Sequence, residues 1–136
     1  MENCVLENDI QLLCVTAGFS EDGIEQAHRK LNERISNSER RKSFGISYVD
    51  DHGIVPYDAA VEVMQANEAE AFGLETFLLK KGNYMSLLVK GGRANRSDIG
   101  TAFSKMLFQK HADPEGYCIE WYLNDTDVQC MVRLTK

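Results

Sequence analysis

Residues 5–18 (VLENDIQLLCVTAG) and residues 78–91 (LLKKGNYMSLLVKG) align without a gap, and this correspondence decides the predicted fold. Beyond these stretches, apolar positions of a helix and of a later strand also match, once a two-residue insertion is allowed and then undone. The matched pairs are Ile24 with Ile99, Ala27 with Ala102, Leu31 with Met106, Phe44 with Tyr117, Ile46 with Ile119, and Tyr48 with Trp121. Such self-similarity indicates a duplicated unit, and a unit that cannot bury its own apolar face packs against its copy.

Each copy is predicted to run strand, helix, strand, strand. Apolar residues at helical spacing predict helices over residues 24–35 and 97–109. Short apolar or alternating runs predict the strands 11–17, 42–49, 57–64, 74–79, 84–89, 117–123 and 128–134. We therefore predict an α+β fold of tandem duplicated strand-helix-strand-strand units with pseudo-two-fold symmetry, in which two helices pack on an antiparallel sheet.

The chain is predicted to form a single domain over residues 1–136, with repeats at about 5–65 and 74–136 and a polar connector at 65–71. Its 136 residues are enough for one domain with a core and too few for two ordinary domains. The seam between two such copies is concave, and clefts of this kind are common ligand sites. We therefore expect function at the seam.

Charge and hydropathy restrict the partners. The net charge of −6 argues against nucleic acid as the main partner, because phosphate binding is driven by Lys and Arg. No apolar run approaches the ~20 residues that a membrane-spanning helix needs. The N-terminus also lacks the basic and apolar segments of a signal peptide. These observations predict a cytoplasmic protein with no direct nucleic-acid binding and no membrane partner.

The cysteines and histidines do not have the spacing of a metal site. They are Cys4, Cys14, Cys118 and Cys130, with His28, His52 and His111. Most of the cysteines lie in apolar, strand-like runs, which is typical of reduced, buried thiols. His28 lies on the apolar stripe of the first helix and is interpreted as a core-edge residue. We predict neither a metal ion nor a cofactor.

One position distinguishes the two copies chemically, because Ser47 in the first corresponds to Glu120 in the second. Side chains alternate across a strand, so Glu120 shares a face with Cys118 and Tyr122. The opposite face, with Tyr117, Ile119, Trp121 and Leu123, is predicted to pack on the helices. A mid-strand carboxylate is either solvated on an open face or lines a cavity, where it requires a cation or a hydrogen-bond donor.

Aromatic residues accompany this carboxylate. Tyr84 and Tyr122 are the main candidates for aromatic walls of a ligand site, and Tyr48, Tyr57 and Trp121 are further candidates. Aromatic faces beside a carboxylate suit a cationic or polycyclic ligand, at ~0.5–2 kcal/mol per cation–π contact. The alternative is that these rings are ordinary core residues. The basic run 40–42 is interpreted as a solvated turn.

The order of these motifs resembles the GyrI-like effector-binding domain, also called the bacterial transcription activator effector-binding domain. The matching pieces are residues 44–48 (FGISY), residues 79–84 (LKKGNY) with a following glycine, the helix 99–107, and residues 119–122 (IEWY), which match the E-x-Y strand of the family. The resemblance covers nearly the whole chain. It implies a cleft for amphiphilic, often cationic or aromatic, small molecules, with Glu120 at its base.

Three classes of function stay open. The first is a stand-alone binding domain that senses or sequesters a small molecule, with Glu120 as polar anchor. The second is a hydrolase of a reactive small molecule, in which Glu120 would activate water; a lone carboxylate does this only when the substrate is well held. The third is a protein-interaction module, as in the gyrase-inhibiting protein of the same family. The residues favour the binder, and they supply no separate catalytic group.

Overall fold

The computed structural model describes residues 2–17, 21–35, 40–47, 57–113 and 116–135. The helices and strands follow one another as β1 (Glu2–Leu6), β2 (Ile10–Ala17), α1 (Glu21–Arg34), β3 (Ser43–Ser47), β4 (Tyr57–Glu62), α2 (Glu68–Phe72), β5 (Glu75–Leu79), β6 (Gly82–Val89), α3 (Arg96–Leu107), β7 (Cys118–Tyr122) and β8 (Val128–Arg133). The chain divides into two compact units. The continuous unit is Asp9–Leu79, and the split unit joins Met1–Asn8 to Lys80–Lys136.

The continuous unit is a four-stranded antiparallel sheet with the order β3-β4-β2-β5. One face of this sheet packs against α1. Alternate residues of the central strands meet the apolar stripe of the helix, as the period of two requires. This core contains Leu13, Tyr57, Ala59 and Val61 from the sheet and Ala27, Leu31 and Ile35 from the helical segment.

The split unit repeats this arrangement with the strand order β7-β8-β6-β1, again wholly antiparallel. Helix α3 covers one face of its sheet. The core contains Val89, Tyr122, Val128, Cys130 and Val132 from the sheet and Ile99, Ala102, Phe103 and Met106 from the helix. The predicted α+β class with antiparallel strands is therefore confirmed.

Two elements, β1 and α2, were not predicted, and the pairing of the strands places the boundary between the compact units differently from the predicted repeats. β1 pairs with β6, and β5 pairs with β2. β1 therefore joins a unit that lies far from it in sequence, and β5 completes the unit that precedes it. The compact units thus do not coincide with the predicted repeats 5–65 and 74–136. The other unpredicted element is α2, which forms in the segment interpreted as a connector.

A buried ion pair explains why α2 forms. Arg41 donates to both carboxylate oxygens of Glu68, at 2.8 and 2.6 Å, and to the carbonyl of Glu62 at 3.0 Å. The carboxylate also accepts from the backbone N–H groups of Met64 and Gln65. The side chain of Arg41 is 1% exposed. The interpretation of Arg41 as part of a solvated turn is therefore wrong, because its charge is compensated locally by Glu68.

Within the part of the chain that the structure describes, no helix is both long and apolar enough to cross a membrane.

Candidate functional site

Strand β7 places Glu120 on the face of the split unit that carries α3. Glu120 is paired with Cys130 of β8, and Tyr122 is paired with Val128. Cys130, Val128 and Tyr122 all belong to the core beneath the helix. The prediction that the helix packs on the other face, which carries Ile119 and Trp121, is wrong for α3. Alternation divides the strand into two faces but does not say which one the helix covers.

The Glu120 carboxylate is held by Arg96 and Tyr122, and these three residues are called the Glu120 cluster. Arg96 donates from its two Nη atoms to Oε1 at 2.7 Å and to Oε2 at 3.2 Å. The hydroxyl of Tyr122 donates to Oε1 at 2.7 Å and lies 3.3 Å from Nη1 of Arg96. The Glu120 side chain is 4% exposed and that of Arg96 is 23% exposed. The carboxylate is thus buried, and the Arg96 side chain that holds it is partly exposed.

A second arginine borders the cluster. The guanidinium carbon of Arg93 lies 4.9 Å from the centroid of the Tyr122 ring, within cation–π distance. Its Nη1 donates to the carbonyl of Asn124 at 3.1 Å, and its backbone N–H donates to the carbonyl of Thr126 at 3.1 Å. The β7–β8 turn therefore fixes Arg93 over the ring. Tyr122 thus contacts two guanidinium groups, that of Arg96 at its hydroxyl and that of Arg93 at its ring face.

The electrostatics of the cluster follow from this geometry. Burial acts to lower the pKa of Arg96, but the hydrogen bonds and negative charge of Glu120 raise that pKa above its ordinary value. Burial and the charge of Glu120 raise the pKa of the Cys118 thiol to about 11 and that of Cys130 to about 12. At neutral pH both thiols are protonated, and Arg96 carries the full positive charge that balances a carboxylate.

Two of the predicted site residues lie on the other face of the same sheet. Tyr84 is paired with Arg133 and Trp121 with Gln129, and these positions alternate with the residues beneath α3. Tyr84 is buried, and its hydroxyl donates to the carbonyl of Lys80 at 2.6 Å. The sheet of the split unit therefore separates Tyr84 and Trp121 from Glu120 and Tyr122.

The predicted residues of the first copy have different positions. Tyr57 belongs to the core of the continuous unit, where its hydroxyl lies 2.8 Å from Nε2 of His28 in a hydrogen bond. His28 is therefore a core-edge histidine with a polar partner, as predicted. Tyr48 lies outside the described residues. Among the predicted residues of the split unit, all of which the structure describes, Glu120 and Tyr122 are in direct contact.

Sequence reasoning missed Arg96 and Arg93. One signal was present, because an arginine in the first turn of a helix is opposed by the helix dipole. Arg96 is the first residue of α3, and such a position indicates that another group holds the charge. The buried mid-strand Glu120 needed a cation, and Arg96 is that cation. The two residues are 24 positions apart, so only the fold shows the pairing.

A depression of about 400 Å³ also lies on the split unit and includes none of the predicted site residues. It is lined by Glu2, Ser86, Leu87, Leu88, Leu123 and Gln129. Among the described residues, no group of three or more His, Cys, Asp and Glu side chains is placed to hold a metal ion.

Comparison with known proteins identifies the fold. No protein-family model and no curated protein sequence matches the chain. Among solved structures, an integron cassette protein from the mobile metagenome of Vibrio cholerae superposes with a TM-score of 0.66 at 11% identity, over 98% of this chain and 94% of that one. The structure of SAV2435 bound to tetraphenylphosphonium gives a TM-score of 0.64 at 12% identity, over 97% and 93%.

A third solved structure with the same fold is that of an enzyme. A hydrolase from Listeria innocua superposes with a TM-score of 0.59 at 11% identity, over 98% of this chain and 89% of that one. At such identities these likenesses show the fold alone. The expected effector-binding architecture is consistent with them.

Proposed function

We propose that this chain is a stand-alone binding domain for an amphiphilic, aromatic or cationic small molecule, which it senses or sequesters. Glu120 is the polar anchor and Tyr122 the aromatic wall. The observation that carries the proposal is the buried carboxylate of Glu120, which is held by the side chains of Arg96 and Tyr122, with the Arg96 side chain partly exposed.

The chemistry of the carboxylate supports a cation as ligand. A buried carboxylate needs a compensating cation, which Arg96 supplies here, and a ligand cation that takes the place of Arg96 would meet the same need. Tyr122 adds a ring face that already contacts one cationic group, Arg93. A ligand with a positive centre and aromatic substituents would pair with the Glu120 carboxylate and suit the neighbouring Tyr122 ring.

The structural comparison supports the same ligand class. Tetraphenylphosphonium, an aromatic cation, is bound to one of the proteins that share this fold. Fold does not determine function, and the argument therefore depends on the site residues as well. Within the Glu120 cluster, Glu120 is the residue that would provide the negative charge for such a cation.

The proposal is tested by titrating the protein with tetraphenylphosphonium chloride in a calorimeter and in a thermal-shift assay. Triphenylphosphine oxide serves as a neutral aromatic comparison. We expect the phosphonium to bind, and at 100 times its Kd to add about 2.7 kcal/mol to the free energy of unfolding. Glu120→Gln should weaken the phosphonium at least tenfold and leave the neutral compound within about threefold, because only the charge–charge attraction is lost.

Glu68→Gln is the matched control, because Glu68 is another buried glutamate held by an arginine. It should destabilise the protein without changing the affinity for the phosphonium. If both glutamate variants weaken phosphonium binding equally, the loss of affinity is caused by reduced stability and not by the loss of a binding residue. If the unmodified protein binds neither compound, the small-molecule proposal fails.

The second candidate is a hydrolase, favoured by the likeness to the hydrolase from Listeria innocua. In that case Glu120 would accept a proton from water. Both of its oxygens already accept hydrogen bonds from Arg96 or Tyr122, which weakens a carboxylate as a base. Mass spectrometry of the recovered ligand distinguishes the two, since a binder returns the ligand unchanged.

A further inference from the structure

Arg96 occupies the position that a cationic ligand of Glu120 would need. Its guanidinium reaches both carboxylate oxygens, and its side chain is nearly six times as exposed as that of Glu120. A ligand that approaches from solvent would therefore meet Arg96 before it meets the carboxylate.

We propose that Arg96 is an internal competitor that sets which cations the site accepts, because a ligand must displace it from Glu120. This inference rests on the proposed function and goes further, since it assigns the selectivity of the site to a residue that repels the ligand. Arg96 acts through Glu120 and is a specificity-determining residue.

The competitor is effective because it is tethered. Arg96 is the first residue of α3, so its guanidinium is present near Glu120 at an effective concentration in the millimolar range or above. It also makes a bidentate pair, which a compact ammonium cannot reproduce. A small hydrophilic cation has the same charge as Arg96 but neither the tether nor the bidentate geometry, so it does not displace Arg96 from Glu120.

A successful ligand must gain free energy that Arg96 does not supply. Burial of apolar area is such a gain, at about 25 cal/mol per Å². The accepted class is therefore a cation with large aromatic substituents, whereas polyamines and free amino acids are rejected. Neutral aromatic compounds do not compete with Arg96 for Glu120.

The test compares the unmodified protein with Arg96→Met, which keeps an apolar stem and removes the charge. Tetraphenylphosphonium chloride is the probe, and triphenylphosphine oxide is the neutral comparison. We expect the phosphonium to bind Arg96→Met at least tenfold more tightly than the unmodified protein, with the neutral compound changed less than threefold. Adding Glu120→Gln to Arg96→Met should abolish the gain.

Arg41→Met is the matched control, because Arg41 also holds a buried glutamate. It should give no gain in affinity. Arg96→Lys keeps the charge but lacks the bidentate geometry, so it should bind the phosphonium several-fold more tightly than the unmodified protein does. This variant provides the measurement if Arg96→Met does not fold.

Three results overturn the inference. If the unmodified protein binds the phosphonium and neither Arg96 variant binds it more tightly, Arg96 is not a competitor, and the proposed function stands. If no variant binds the phosphonium or the neutral compound, the inference and the proposed function both fail. A gain that survives Glu120→Gln would also overturn it, because the competition would not take place at Glu120.

Discussion

A single carboxylate at position 120 is tolerated in a nearly closed core because three hydrogen bonds reach its two oxygens. Removing one partner of such a buried pair usually costs more than the net contribution of the pair, since the other charge is left behind. Here the remaining charge would be Arg96, which is partly exposed and can be hydrated. The cost of losing Glu120 should therefore lie below the range for fully buried pairs.

The contribution of the pair to stability can be measured without ligand by Glu120→Gln. The substitution should lower the free energy of unfolding at neutral pH by about 2 kcal/mol. Tyr122→Phe removes one donor to the carboxylate and should cost about 1 kcal/mol. Urea denaturation measures both. An unchanged or increased stability of Glu120→Gln would show that the ion pair does not hold the fold.

Gly45 allows a second prediction, because the ring of Tyr57 lies against its Cα. A Cβ at this position would lie 2.1 Å from the Tyr57 hydroxyl oxygen and within 2.6 Å of two ring carbons. Gly45→Ala should therefore destabilise the continuous unit by about 1–3 kcal/mol or more through overpacking.

Gly100 is the matched control for Gly45. It lies inside α3, and a Cβ there would meet nothing within 4 Å. Gly100→Ala should stabilise the protein by up to about 1 kcal/mol, because alanine is the better helix former. Both changes can be measured by thermal unfolding. If the two substitutions changed the stability by the same amount in the same direction, the packing argument would be contradicted.

The thiols provide a third prediction at this scale. Burial raises the pKa of Cys14 and Cys130 to about 12 and, with the charge of Glu120, that of Cys118 to about 11. Only the thiolate is alkylated efficiently. Iodoacetamide at pH 8 should therefore modify these three cysteines far more slowly in the native protein than in urea. Mass spectrometry of the digested protein measures this, and rapid native labelling of Cys118 would contradict it.

At the level of elements, the ion pair between Arg41 and Glu68 connects the start of β3, the end of β4 and the first turn of α2. The hydrogen bonds from Arg41 and from two backbone N–H groups hold the pKa of Glu68 at about 2, against an ordinary value of 4.5. The unfolded chain therefore binds a proton at a higher pH than the folded chain. This stabilisation is complete above about pH 4.5 and is lost as the pH falls towards 2.

Acid unfolding tests this connection. Between pH 4.5 and 2 the free energy of unfolding should fall less steeply with decreasing pH for Glu68→Gln than for the unmodified protein, by up to about 1.4 kcal/mol per pH unit. The exposed Glu25–Arg29 pair on α1 supplies the control, since surface pairs contribute little. Glu25→Gln should keep the slope of the unmodified protein. Identical slopes for all three proteins would show that Glu68 is not coupled to folding.

At the level of the whole molecule, local patterns were enough to predict the class and most elements. Periodicity placed both long helices and most of the strands within a few residues, because these segments bury one face. The short β1, with its exposed Val5, carries no such pattern. Helix α2 depends on the partner of Glu68, which lies 27 residues away.

The site was predicted less completely, for a related reason. Alternation grouped Glu120 with Tyr122, and the structure keeps them together. The assignment of a face to the helix and the identity of the counter-charge both depend on packing between elements distant in sequence. Tyr84 was joined to the site by its aromatic character alone, and its strand directs it to the other face of the sheet.

The predicted two-fold relation between the copies stays a prediction. Residues 11–64 should superpose on residues 84–134, with α1 falling on α3. Superposition of the Cα atoms of the two segments in a crystal structure measures this directly. Helices that are not equivalent under such a rotation would contradict the duplication inferred from the aligned segments.

The membership of β1 in the split unit also affects how the protein is made. Its partner strand β6 begins at Gly82, which pairs with Leu6. A ribosome that adds about 5–20 residues per second therefore synthesises β6 roughly 4–15 s after β1. Because a chain leaves the ribosome from its N-terminal end, the whole of Asp9–Leu79 emerges before β6 does, and the first strand waits without its partner until then. Biosynthesis should thus make the continuous unit available for folding before the first strand can pair with β6.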